Sequence, residues 1–138
     1  AAQPPASQFL AQREWIDRCY AGETVMDIVA ALRGHDAGPA NDAANLIETR
    51  SPVSVSVALQ AVRRAAGLAT LEDVLRQEYR TTCGALRGHD FVEGIRALIV
   101  EKDRNPKWSP PSLAAVTAAD VEDYFTPADP DLSFEEDK

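Results

Sequence analysis

The sequence is poor in the residues from which catalytic and metal centres are usually assembled. It holds two histidines, His35 and His89, and two cysteines, Cys19 and Cys83. The cysteines form no Cys-x-x-Cys pair and neither sits near a histidine, so no metal-ligand spacing can be read. Two isolated thiols suit a reduced, cytoplasmic setting in which both act as small buried apolar groups. No apolar run approaches the roughly 18 residues a membrane span needs. The opening residues show neither the basic nor the apolar part of a secretory leader. Met26 is the only methionine, so the chain beginning at Ala1 is either trimmed or a piece of something longer. Glycine-rich phosphate loops and nucleophile motifs are also missing. Bases are outnumbered, 14 against 22 acids, and the net charge of −8 argues against nucleic-acid binding. Arginine is preferred to lysine and alanine is abundant, which suggests a bacterial genome rich in G and C.

What the sequence does have is helical periodicity. Gln3-Pro4-Pro5 reads as an extended lead-in over 1–8, since a residue before proline avoids the helical region. Phe9, Trp15, Ile16, Cys19 and Tyr20 then recur at helical spacing up to Gly22. Thr24 with Asp27 caps a second helix bearing the stripe Val25, Ile28, Val29 and Leu32, which Gly34 ends. Residues 36–40 read as a loop, followed by a short helix from Asn41 or Asp42 to Arg50. Ser51-Pro52 restarts the chain as N-cap and first helical residue. Val53, Val55 and Val57 alternate as in a strand, but the helical period from Ala58 to Ala66 and the want of a partner strand decide for helix.

Thr70 and Asp73 cap the longest helix, with Leu71, Val74, Leu75, Tyr79, Thr82, Cys83 and Leu86 as its stripe and Glu72–Arg76 as an outer pair. Asp90 and Glu93 read as the cap of the next, holding Phe91, Ile95, Leu98 and Ile99. Pro106, Pro110 and Pro111 forbid regular structure. Thr117 and Asp120 cap a last helix with Val121, Tyr124 and Phe125. The expected fold is all-α, six or seven helices over 9–126, with an acidic, disordered tail over 127–138.

Four groupings invite a chemical reading. His35-Asp36 and His89-Asp90 each set an imidazole beside a carboxylate, but sequence neighbours rarely face one another and no nucleophile accompanies them. Both lie in the repeated hexapeptide Ala-Leu-Arg-Gly-His-Asp at 31–36 and 85–90. Its flanks do not align, so it reads as two similar helix stops rather than a repeat architecture. Asp90 and Glu93 resemble an acid–base pair, yet capping accounts for both. The last grouping is cationic: Arg96, Lys102, Arg104 and Lys107 beside Trp108. These residues suit the phosphates of a nucleotide, or equally a solvated helix exit.

From Gly88 onward, the segment Gly-His-Asp-Phe-Val-Glu-Gly-Ile-Arg-Ala is followed by Glu101-Lys-Asp-Arg-Asn-Pro-Lys-Trp. This arrangement resembles the crotonase superfamily, and in particular its 3-hydroxyisobutyryl-CoA hydrolase branch. Cys19-Tyr20, Ser51-Pro52, Glu78-Tyr79-Arg80 and Tyr124-Phe125 agree in order, so the likeness covers about 9–125. It implies the C-terminal helical part of an acyl-CoA thioesterase of valine breakdown, or of an enoyl-CoA hydratase or isomerase. The family's catalytic groups lie in a preceding spiral domain, so no catalytic residue is carried over. Asp90, Glu93, Gly94, Arg96, Ala97, Lys102, Pro106, Lys107 and Trp108 match, mainly as architecture, Gly94 allowing close backbone approach. Implied partners are that spiral domain and the acyl-CoA substrate, with coenzyme A as part of the substrate, no metal, no nucleic acid and no membrane. Arg96, Lys102, Arg104 and Lys107 remain the candidates for CoA phosphates. A piece so placed is expected to be inactive alone. It should present an apolar face built from Phe9, Trp15, Ile16, Phe91, Ile95, Leu98, Ile99, Trp108, Tyr124 and Phe125, through which copies could self-associate. A free-standing helical interaction module is the non-enzymatic alternative.

Overall fold

The computed structural model describes residues 7–134, and it divides into two compact units, one ending at Thr49 and the other beginning at Arg50. Seven α-helices and no strand occur among the described residues. None of these helices is long and apolar enough to cross a membrane.

In the first unit, α1 (Gln8–Cys19), α2 (Val25–Arg33) and α3 (Gly38–Glu48) follow one another across short connections. The Thr24 hydroxyl accepts from Asp27 N–H at 3.1 Å while the Asp27 carboxylate accepts from Thr24 N–H at 2.9 Å, a complete capping box. Asp27 is consequently held below the usual carboxylate range, first by the Thr24 hydroxyl and then by its N–H. The α2 stripe lies inward, with Val25, Ile28, Val29 and Leu32 all buried. Ala40 and Ala44 of α3 are fully covered, and their small side chains suit the close packing of α2 against α3. Helix α3 begins three residues before the expected Asn41 and stops at Glu48 rather than Arg50. Pro39 falls in its first turn, where a missing N–H costs no helical bond, so a residue read as a loop former serves as a helix starter.

The second unit holds α4 (Pro52–Ala65), α5 (Leu71–Arg87), α6 (His89–Ile95), a π-helical turn at Arg96–Val100, a 3-10 turn at Leu113–Ala115, α7 (Ala118–Glu122) and a closing 3-10 turn at Asp123–Phe125. Ser51 accepts from Ser54 N–H at 3.1 Å, with Pro52 opening the helix behind it. The strand-like valines are helical: Val53 and Val57, four apart, are buried and form a core with Val121 and Tyr124. The Thr117–Asp120 capping box is complete.

Helix α5 departs from its expected orientation. Its buried positions are Gln77 and Gly84, while Leu71, Leu75 and Leu86 of the apolar stripe face outward. Closeness to Tyr124 accounts for part of this: a Cβ on Gly84 would stand 2.8 Å from Tyr124 Cα, an approach only glycine permits. The outer ion pair also differs, Arg76 joining Asp73 at 3.2 Å rather than Glu72. Of the expected exposed face, Phe91, Ile95, Leu98 and Ile99 are exposed, Trp108 and Phe125 are half-buried and Tyr124 is buried. In the first unit Phe9 is exposed, and Trp15 and Ile16 are half-buried.

Of the lead-in expected over 1–8, Ser7 is extended and Gln8 already begins α1, while residues 1–6, like 135–138, lie outside the described residues. Of the stretch 127–138 read from composition as a disordered tail, residues 130–134 lie against α5 through contacts with Tyr79, Arg80 and Arg76. Ion pairing offsets the acidity that composition alone read as solvation.

Candidate functional site

Asp90 is the most enclosed charged side chain described, at 4% exposure. Its Oδ2 accepts from the Ser51 hydroxyl at 2.5 Å, and its Oδ1 accepts from Ser109 N–H at 2.8 Å and meets His89 Nδ1 at 2.9 Å. It therefore joins the start of α4, the start of α6 and the chain entering the proline-rich segment. The cap expected of Asp90 is not made. Gly88, which has no side chain to offer, is the N-cap of α6, and the Asp90 carboxylate accepts from Ser51 and Ser109, brought from remote segments. The two sequence neighbours His89 and Asp90 do meet, contrary to expectation. Ser51 nevertheless donates to the carboxylate and not to the imidazole, so the order of a nucleophile–base–acid relay is not assembled. His35 plays a simpler part, its Nδ1 accepting from Ala37 N–H at 3.1 Å within a turn. A hollow of about 300 Å³ lies beside Asp90, bordered by Val53, Gly88, His89, Asp120, Asp123 and Tyr124. The Tyr124 hydroxyl is pushed up, chiefly by burial and then by the nearby Asp90 charge.

The second constellation is centred on Arg96. Its guanidinium donates through Nε and Nη2 to the two oxygens of Glu93 at 2.8 and 2.7 Å, a bidentate pair. Nη1 donates to Glu101 at 2.5 Å and to Asp103 at 2.8 Å, and Nη2 also reaches the Asn105 carbonyl at 3.3 Å. Glu93 in turn accepts from Lys107 N–H at 2.6 Å. Loop 101–107 is thereby folded back on the π turn. It adopts left-handed backbone at Lys102 (φ 58°) and Arg104 (φ 55°), with Arg104 N–H donating to the Ala97 carbonyl at 3.0 Å. Paired with Arg96 and Lys107 N–H, Glu93 is pulled down to about 2. Arg96 is raised, by Glu93 first and Asp103 next. Glu93 is thus a clamp and not the cap expected from its spacing.

Of the four cations expected near CoA phosphates, Arg96 is turned onto three carboxylates, whereas Lys102, Arg104 and Lys107 stand exposed, Lys107 Nζ reaching Asn105 Oδ1 at 3.1 Å. That Glu101 and Asp103 pair with Arg96, and Ser51 and Ser109 with Asp90, escaped the sequence reading. The alternating acids and bases of 101–104 were the one signal that a folded ion-pair loop, and not a basic patch, was present. Trp108 lies over Gly94, where an added Cβ would meet the indole at 3.5 Å, an ordinary contact. Within the second unit the close approaches lie instead at Gly84 and Gly88, where a Cβ would come within 2.8 Å of Tyr124 atoms. Among the described residues no cluster of three or more His, Cys, Asp or Glu could hold a metal ion.

With this geometry in place, likeness to known proteins is specific. Residues 1–125 match the family model described as enoyl-CoA hydratase/isomerase, and the chain belongs to that family. The human mitochondrial 3-hydroxyisobutyryl-CoA hydrolase is 36% identical over 110 residues, which are 80% of this chain and 28% of that protein. Among solved structures, a carnitinyl-CoA dehydratase from Mycobacterium thermoresistibile is 61% identical with a TM-score of 0.91, covering 98% of this chain and 38% of that one. An enoyl-CoA hydratase from Rhodobacter sphaeroides is 33% identical with a TM-score of 0.87, covering 96% of this chain and 40% of its own. The chain therefore spans less than half the length of each of these relatives, and it is a crotonase-superfamily chain related to 3-hydroxyisobutyryl-CoA hydrolases.

Proposed function

We propose that this chain is the helical closing part of an acyl-CoA-processing enzyme that hydrolyses 3-hydroxyisobutyryl-CoA. The reacting groups would be supplied by a spiral domain outside these 138 residues. The observation carrying the reading is the 36% identity to the human hydrolase over four-fifths of the chain. Two features of the geometry support it. Asp90 and Glu93, the carboxylates best placed by sequence to act as acid and base, are occupied by fixed donors from their own fold. Apolar side chains of α5, α6 and the π turn face outward, as a layer meant to be covered would present them.

On this reading the chain contributes cover and charge. Lys102, Arg104 and Lys107 reach toward the phosphates of coenzyme A, while Arg96 frames the loop that carries them. The isolated chain is inactive. The setting is the cytoplasm of a bacterium, in valine breakdown, a reading supported by the bacterial sources of the two solved relatives.

Free-thiol release from 3-hydroxyisobutyryl-CoA, followed with the longer protein and with the 138-residue chain, tests this. Turnover is expected only from the longer protein. Thiol release by the short chain above a heat-treated control overturns the division of labour. Hydration of an enoyl-CoA by the longer protein, without thiol release, replaces the hydrolase reading with that of a hydratase, the activity named for the Rhodobacter relative.

A further inference from the structure

Residues 130–134 run antiparallel along α5, and one ridge of that helix makes the contacts. Tyr79 Oη donates to the Pro130 carbonyl at 3.2 Å. Arg80 grips the Asp131 carboxylate through Nε at 2.9 Å and Nη2 at 2.5 Å. Arg76 Nε donates to the Leu132 carbonyl at 3.1 Å, and its guanidinium carbon stands 5.4 Å from the centre of the Phe134 ring. Arg76 is itself steadied by Asp73 at 3.2 Å.

Tyr79, Arg80 and Arg76 thus meet Pro130, Asp131 and Leu132 in turn, and Arg76 extends to the Phe134 ring beyond them. Two contacts go to backbone carbonyls, which any sequence offers. One requires a carboxylate, and one favours an aromatic ring three residues later. Backbone contacts for affinity and spaced side chains for selectivity together form a peptide-reading surface.

We propose that the Arg76–Tyr79–Arg80 ridge of α5 is a docking site for an extended peptide carrying an acid and, three residues on, an aromatic. Residues 130–134 of this same chain are its occupant, a strap that can detach rather than a part of the core. Its attachment is polar: Pro130 and Ser133 are exposed, and Asp131, Leu132 and Phe134 are only half-buried. Arg80 and Asp131 side chains keep 28% and 25% of their surface, so solvent and salt reach the pair that dominates the contact. The Arg80 pairing also holds Asp131 below the usual carboxylate range, so the gripping charge persists at neutral pH.

The full 138-residue chain provides the test. Chymotrypsin cleaves after Leu132 and Phe134 only when the strap is off the ridge, and mass spectrometry reads the rate. Arg80→Met and Asp131→Asn should each speed cleavage about tenfold, with the double variant no faster than either, since both break the same contact. Arg80→Lys, which keeps charge but loses the fork, should fall between. Circular dichroism must show unchanged helix content in each. Next, a labelled peptide of residues 127–134 is titrated into the 138-residue Asp131→Asn chain, whose own strap is weakened. It should bind saturably, at least about fivefold better than its Asp131→Asn counterpart, and Arg80→Met should abolish binding. Cleavage rates unmoved by Arg80→Met and Asp131→Asn, or a peptide that fails to bind, overturn the docking site. Protection that falls on dilution overturns the assignment of this chain's own segment, the occupant then being a second copy's.

Discussion

Asp90→Ala is the sharpest test of how the second unit is held. The substitution removes the acceptor of the Ser51 hydroxyl, on a residue only 6% exposed. It also removes the acceptor of Ser109 N–H, an exposed residue that water can reach, and the partner of the half-open His89 ring. A lost hydrogen bond to a buried charge costs about 1.5–3 kcal/mol, and a partly rehydrated N–H adds about 1. A total of roughly 3 kcal/mol follows, a large share of the 5–15 kcal/mol typical of a domain. For a chain of this length the midpoint of thermal unfolding should fall by roughly 10 °C. Trp108 reports this unit, and Trp15→Phe silences the other indole. Urea unfolding read by fluorescence then gives the free energy directly. Ser51→Ala loses the same bond together with the α4 cap, so the double variant should cost about 1–2 kcal/mol less than the sum of the singles. Strict additivity, or a loss below about 0.5 kcal/mol for Asp90→Ala, would refute the account of Asp90 as the junction of three segments.

Gly84→Ala forces a methyl against Tyr124 Cα and should cost about 1–3 kcal/mol by overpacking, measurable in the same urea assay. Gly94→Ala, where the indole leaves room, should cost less than about 1 kcal/mol, and a reversal of that order contradicts the packing described. Glu93 is depressed from 4.5 to about 2, so its clamp contributes fully above pH 4.5 and is lost as pH falls toward 2. Arg96→Met should erase that acid-dependent part of the stability profile, and a profile unchanged below pH 4.5 would refute the clamp. Outward Phe91, Val92, Leu98 and Ile99 should make the chain self-associate, which sedimentation over a concentration series reads. A monomer at every concentration, with no dye-accessible apolar surface, contradicts it.

The helices were legible where the signal was local. Thr24 with Asp27, Ser51 with Pro52, and Thr117 with Asp120 speak through residues three apart or fewer, and each cap forms as read. Pro39 misled because proline marks both loops and first turns, and only the path of the chain distinguishes them. Helix α5 misled differently. Its apolar stripe is real, but the face turned inward was chosen by Gly84 and Tyr124, forty positions apart. Asp90 and Glu93 carry the spacing of caps and serve as anchors for donors 39, 19 and 14 positions away. A carboxylate near a helix start advertises its charge in the sequence, while the donor that claims it is set by folding.

The π turn at Arg96–Val100 carries a consequence for tolerated length change. Glu101 N–H donates to the Arg96 carbonyl at 2.8 Å, five residues back, so this turn holds one residue more than an α-helical turn would. Each residue of α-helix swings the chain by about 100°, so that extra residue acts as a phase setting. Deleting a single residue between 97 and 100 would let the helix relax to its ordinary pitch with all its backbone bonds intact. Glu101 and Asp103 would then leave the helix on another side, away from the Arg96 guanidinium. Helix content would survive the deletion, and the ion-pair loop would not.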